Sequence, residues 1–184
     1  MNREIKKVYS IEEVEKQLDG YRNFILLIGI SGSGKDTLIR KLKRPRIRVC
    51  LDDIVKMATD YVWEEKIEDF YKKSEDAFVK NALEITYPYD VVISRTNLTR
   101  EIRKKFIDLA KNYDYFRIVG IFFNIPLEVA IKRRLQDPLL KERETRKSYD
   151  WEKIIRNQLK KLEKPSYDEG FDLILEIDEN FRMF

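Results

Sequence analysis

Five short apolar runs punctuate the chain: Phe24-Ile25-Leu26-Leu27-Ile28, Ile47 to Leu51, Val91 to Ser94, Arg117 to Phe123 and Phe171 to Ile177. Continuous runs of this length, rather than strict alternation, mark strands of a parallel sheet that is covered on both faces. Helical patterns separate them, over 35–42, from 53 to about 85 (one or two helices), over 100–112, from 127 to about 135 and over 151–162. An earlier helix opens at Ser10-Ile11-Glu12-Glu13, which has the form of a capping box, and Gly20 ends it. Strands alternating with helices predict an α/β fold, a five-stranded, mainly parallel sheet flanked by helices. The chain has no internal repeat, low-complexity tract or flexible linker, so 1–184 reads as one domain. Ligands of such sheets bind beyond the carboxyl ends of the strands. The chemically distinctive residues fall at those ends.

The first strand runs directly into Gly29-Ile30-Ser31-Gly32-Ser33-Gly34-Lys35, and a helix follows. The glycines let the backbone curl so that successive amide groups face one anion, and the helix start adds partial positive charge. This is a phosphate loop: Gly29, Ile30, Ser31, Gly32, Ser33, Gly34, Lys35, Asp36 and Thr37 are the candidate ATP-binding residues, with Lys35 on the β- and γ-phosphates. The pattern usually continues with a hydroxyl residue that binds magnesium, but Asp36 stands there, followed by Thr37. Asp36 either holds the metal, directly or through water, or is an acidic first-turn residue. Thr37 is the other candidate ligand, and the sequence leaves the choice open.

Composition narrows the chemistry further. Histidine is absent and Cys50 is the only cysteine, which excludes Ser/His and Cys/His nucleophiles, a disulfide framework and a cysteine-rich metal site. A general base must therefore be a carboxylate, a lysine or a tyrosine. Asp52, beside Asp53 at the expected end of the second strand, is the candidate, with Asp53 at a helix cap or beside the metal. Arg95-Thr96-Asn97-Leu98-Thr99 ends the third strand, where Arg95 is placed to grip a substrate phosphate. The formal charge is +4, concentrated in Arg40, Lys41, Lys43, Arg44, Arg46 and Arg48, and again from Lys132 to Lys147. Such clusters suit a polyanion, or form a solvated charged face. Neither a signal-peptide run nor an apolar stretch of the ~18 residues needed for a membrane span is present. A cytoplasmic protein without a membrane partner is expected.

Taken together, Gly29 to Thr37, Asp52-Asp53, Val91 to Leu98, Ile125-Pro126 leading to Lys132-Arg133-Arg134, and Pro165 to Phe171 resemble the polynucleotide 5′-kinase family. The resemblance implies transfer of phosphate from ATP, with Mg2+, to 5′-hydroxyl ends of DNA or RNA. It implies that Lys35 binds phosphate, that Asp52 activates the acceptor, and that Arg133 and Arg134 belong to a mobile lid over about 133–148. Arg95, Asn97, Asp53 and Lys56 are then the candidate acceptor contacts. The chain departs from the family at Asp36, at Val55 where an arginine is common, and at Arg95 where aspartate is common. Arg95 is expected to replace the arginine missing at 55. Any phosphatase or ligase activity would need a separate partner, since the chain has no room for either domain. A kinase of a nucleoside, a nucleotide or a tRNA-linked alcohol is the alternative, and a non-catalytic nucleotide-binding module is a third reading.

Overall fold

The computed structural model describes residues 4–85, 88–140, 144 and 147–183. Its strands are β1 (Lys6–Lys7), β2 (Asn23–Ile28), β3 (Arg46–Val49), β4 (Asp90–Ile93), β5 (Arg117–Phe123) and β6 (Leu173–Ile177). All pair in parallel, in the order β1-β6-β5-β2-β4-β3. The sheet thus has six strands rather than the five expected. The addition, β1, is two exposed lysines on the edge, too short and too polar to register as an apolar run.

The helices are α1 (Ile11–Leu18), α2 (Lys35–Lys41), α3 (Leu51–Thr59), α4 (Glu68–Glu84), α5 (Arg100–Ala110), α6 (Leu127–Leu135) and α7 (Trp151–Lys161). The pleat of β2 divides the core. Ile25 and Leu27 face one layer with Val14, Leu38, Ile131 and Ile155, from α1, α2, α6 and α7. Phe24, Leu26 and Ile28 face the other with Val79 of α4 and Phe106 of α5. Burial on both faces is why β2 reads as an unbroken apolar run. The connection after β2 runs towards β3, whereas the connection after its neighbour β5 runs the other way, towards β6, so a crevice opens between the carboxyl ends of β2 and β5.

One boundary departs from expectation. Strand β3 stops at Val49 and α3 starts at Leu51, so Asp52 and Asp53 lie in the first turn of a helix instead of closing a strand. Carboxylates there are favoured by the helix dipole. The stretch from 53 to about 85 forms two helices, within the one or two expected, and the break falls at Asp60 and Tyr61, both left-handed with φ of 51° and 66°. Arg44 and Arg46 sit at the opposite end of the sheet from the phosphate loop. Arg44 pairs with Asp90 at 2.8 Å, and Arg46 donates to the carbonyls of Leu42 and Arg44. They fasten the start of β3, so the first basic cluster is not one anion site.

A buried ion pair fixes the loop after β4. Arg103 donates to Glu169 through Nε at 2.7 Å and Nη2 at 2.8 Å, and its Nη1 serves the carbonyls of Asn97, Leu98 and Glu163. Neither charged side chain is more than 1% exposed. Next to it, Gly170 ends the short 3-10 turn at a φ of 107°, and the ring of Phe171 packs over Gly120. Removing one partner of such a pair strands the other charge, at a cost of about 3–5 kcal/mol. Glu169→Ala is expected to lose that much stability in urea unfolding. Asp108→Ala, which breaks the exposed Lys104–Asp108 pair, is expected to lose under about 1 kcal/mol.

Candidate active site

The phosphate loop is held in shape from behind. The Gly29 amide donates to the Thr96 carbonyl at 2.9 Å, tying the end of β2 to the loop after β4. At Gly32, with φ of 79°, a Cβ would collide with the backbone carbonyl of Ala130 in α6, so only glycine fits. The Ser31 amide donates to Oε1 of Gln158 in α7 at 2.8 Å. Inside the turn, the Lys35 ammonium donates to the carbonyls of Gly29 at 2.9 Å and Ile30 at 2.6 Å, and to Ser33 Oγ at 3.2 Å. Loss of solvent lowers its pKa to about 8, against the opposing charges of Asp36 and Asp52.

The carboxylates gather along one side of this loop. Ser94 Oγ donates to Asp36 Oδ1 at 2.9 Å, and Arg48 Nη1 lies 3.5 Å from the same oxygen. The other arm of Arg48 pairs with Asp53. Asp52 is exposed, and among the described residues no hydrogen bond engages its carboxylate, although its charge acts on Lys35. One turn further along α3, the Lys56 ammonium lies 5.2 Å from the centre of the Tyr61 ring. The hard oxygens of Asp36, Ser94, Asp53 and Thr37 suit magnesium, which keeps several waters and takes one or two carboxylates together with substrate phosphates. Among the described residues no group of three or more metal-ligating acids, histidines or cysteines offers a ready-made cage.

The remaining expected site residues divide between crevice and scaffold. Arg133 is exposed, and its Nη1 is 3.9 Å from where a Cβ on Gly34 would stand. Arg134 is buried instead. Its guanidinium lies 3.7 Å from the Trp151 ring centre and its Nη1 is 3.2 Å from Asp137, which links α6 to α7, while its Cβ borders Gly32 of the loop and its charge bears on Lys35. Lys141, Arg143 and Arg146 of the expected lid lie outside the described residues. Asn97, fully buried with φ of 45°, donates to the Leu27 carbonyl at 2.7 Å and faces the protein rather than an acceptor. Arg95 is engaged by Glu75 of α4 at 2.6 Å and lies against Phe106 of α5, so it does not stand free to replace the arginine missing at 55. Burial raises the pKa of Glu75, against the Arg95 charge.

Sequence reasoning missed Gln158 and Ser94, and counted Arg48 only as one member of a basic run. Gln158 carries no signal, being a polar residue of an amphipathic helix. Ser94 could have been found, as the residue directly after an apolar strand in a sheet whose strand ends form the site. Beyond β5 and β6 lies an open groove of about 390 Å³ lined by Asn124, Pro126, Leu127, Leu159, Asp178 and Asn180. It starts from the strand whose Phe123 abuts Gly29.

A parallel α/β sheet whose central strand ends in this loop defines a P-loop kinase domain, a nucleotide-binding fold. A family profile described as an AAA domain matches residues 24–165, and the chain belongs to that family. It is 27% identical to an L-seryl-tRNA(Sec) kinase of Methanococcus maripaludis over 173 aligned positions, which cover 85% of this chain and 66% of that protein. Among solved structures, shikimate kinase from Acinetobacter baumannii in complex with shikimate superposes with a TM-score of 0.54 and 19% identity, covering 90% of this chain and 88% of that one. A chain of the Pnkp1/Rnl/Hen1 RNA repair complex gives a TM-score of 0.55 and 22% identity, covering 77% of this chain and 44% of that one. These two likenesses establish the fold alone. No helix among the described residues is long and apolar enough to cross a membrane.

The pKa of Lys35 sets a pH dependence. A bound phosphate favours the charged ammonium and raises its pKa, so nucleotide affinity is full below the free value of about 8 and falls above it. ADP binding measured by calorimetry is expected to weaken by about tenfold per pH unit between pH 8.5 and 9.5, with uptake of a proton. Lys35→Met should bind ADP weakly and without that slope. An unchanged wild-type affinity across this range would contradict the position of the lysine.

Proposed function

We propose that this chain is an ATP- and magnesium-dependent kinase that phosphorylates a hydroxyl carried on RNA, with an aminoacyl-tRNA hydroxyl as the preferred acceptor. The observation that carries the reading is the placement of Asp52, an open carboxylate whose charge acts on Lys35 from the first turn of α3. Lys35 would leave the carbonyls of Gly29 and Ile30 for the β- and γ-phosphates and follow the charge as it develops. Asp52 would accept the proton of the acceptor hydroxyl while its oxygen forms the new bond to phosphorus and the bond to the β-γ bridging oxygen breaks. Arg133, beside Gly34, is positioned to neutralise the transferring phosphoryl. Asp36 with Ser94, and Asp53 or Thr37, would hold magnesium, which would supply positive charge to offset that of the phosphates. The groove beyond β5 and β6 would take the nucleoside.

A 5′-hydroxyl kinase needs a cation for the neighbouring phosphate of its substrate, yet Val55 is buried and Arg95 is held by Glu75. The segments that carried the likeness to polynucleotide kinases contribute scaffold residues: Asn97 bonds to Leu27, and Glu169 to Arg103. They favour no acceptor. The relative acting on L-seryl-tRNA(Sec) supports an acceptor linked to tRNA, and this chain spans 66% of its length. A second reading, transfer to RNA 5′ ends, keeps support from Lys56, a cation one turn beyond Asp52.

The test is transfer of γ-labelled phosphate to seryl-tRNA, deacylated tRNA, 5′-hydroxyl RNA and DNA oligonucleotides, shikimate and free serine. Label on seryl-tRNA, released with the amino acid by mild base, is the expected result. Label on the oligonucleotide 5′ end would select the second reading. Label on a small molecule alone would contradict both.

A further inference from the structure

Arg48 belongs to no part of the proposed chemistry, yet it sits at its centre. It is the third residue of β3, and its side chain, 34% exposed, rises between the first turns of α2 and α3. One arm meets Asp36 Oδ1 at 3.5 Å and Ser94 Oγ at 3.5 Å, and the other pairs with Asp53. With the Ser94 hydroxyl on Asp36, the side chains of Arg48, Asp36 and Ser94 close a ring, and Asp53 is held by the outer arm of the guanidinium. The oxygens of Asp36, Ser94 and Asp53 are the hard ligands that a divalent cation beside the phosphate loop would use. A guanidinium suits such bridging because its nitrogens lie in a fixed plane and reach two carboxylates at once.

From this ring we infer that Arg48 is a positioning residue that stands in for the metal, holding Asp36 and Asp53 apart from solvent cations until nucleotide arrives. The inference rests on the kinase reading above. Two carboxylates on neighbouring helix starts repel each other, and the guanidinium relieves that repulsion in the free protein. Magnesium binds at 2.0–2.1 Å and prefers near-ideal octahedral ligands. It cannot take Asp36 while a cation bridges that residue to Asp53, unless phosphate oxygens add ligands and draw the guanidinium away. Metal therefore binds as part of the nucleotide complex, and free magnesium does not load the site beforehand. By linkage, whatever Arg48 removes from metal affinity in the free protein reappears as coupling between metal and nucleotide.

The test uses Mn2+ as the probe metal on the full chain, with binding read by electron paramagnetic resonance with and without ADP. Arg48→Met is expected to bind Mn2+ at least tenfold more tightly than wild type without ADP, and the enhancement by ADP should shrink by the same factor. Arg48→Lys, which keeps the charge but loses the fork, should fall between them, and Arg48→Met combined with Asp36→Asn should lose the gain. Thermal unfolding of each variant establishes that it is folded, and Arg48→Lys serves if Arg48→Met is not. Unchanged or weaker Mn2+ binding in the folded variant, with ADP still bound, would overturn the inference and leave the kinase reading intact. Failure of wild type to bind ADP would overturn the kinase reading, and the inference with it.

Discussion

The structure depends on one constraint: a glycine-rich turn must keep its inner surface free for an anion, so its shape has to be imposed from outside. Thr96 holds the Gly29 amide, the backbone of α6 fills the space at Gly32, and Gln158 takes the Ser31 amide. The elements supplying these contacts are themselves fixed elsewhere. The loop after β4 hangs on Asn97 and on the buried Arg103–Glu169 pair, and α6 is stacked onto α7 through Arg134 and Trp151. Residues far from the chemistry therefore set the geometry of the site, in the way that supporting shells orient functional groups.

Electrostatics inside the crevice follow from the same arrangement. Burial weakens the hold of Lys35 on its proton, while acidic first-turn residues of α2 and α3 push the other way. Arg48 balances two of those acids and leaves Asp52 unengaged among the described residues. In the proposed reaction, Lys35 on the phosphates and an Asp52 open to solvent would be the two opposite charges an in-line transfer needs.

Much of this was legible in the sequence, for identifiable reasons. Strands covered on both faces leave long apolar runs, so β2, β4 and β5 were readable almost to the residue, whereas β1, two exposed lysines, left none. The phosphate loop was legible because glycines and a lysine at fixed spacing after a strand have few other uses. Side-chain direction was not. Adjacent Arg133 and Arg134 look alike in sequence, yet a step of one residue along a helix turns one to the loop and the other onto Trp151. Asn97 and Glu169 stand in segments that look functional, and their ties into the scaffold were hidden because their partners, Leu27 and Arg103, are distant in sequence. Asp52 and Asp53 were placed correctly beside the loop but on the wrong element, because β3 passes into α3 with a single intervening residue.

The central claim is a division of labour in which Lys35 binds phosphate and Asp52 activates the acceptor. Single-turnover phosphate transfer by Asp52→Asn, set beside its ADP affinity, tests this most directly. A general base contributes about 10²–10⁴-fold. The expected result is a loss of that size in rate with ADP affinity within about threefold of wild type. An unchanged rate, or an equal loss in both quantities, would contradict the account.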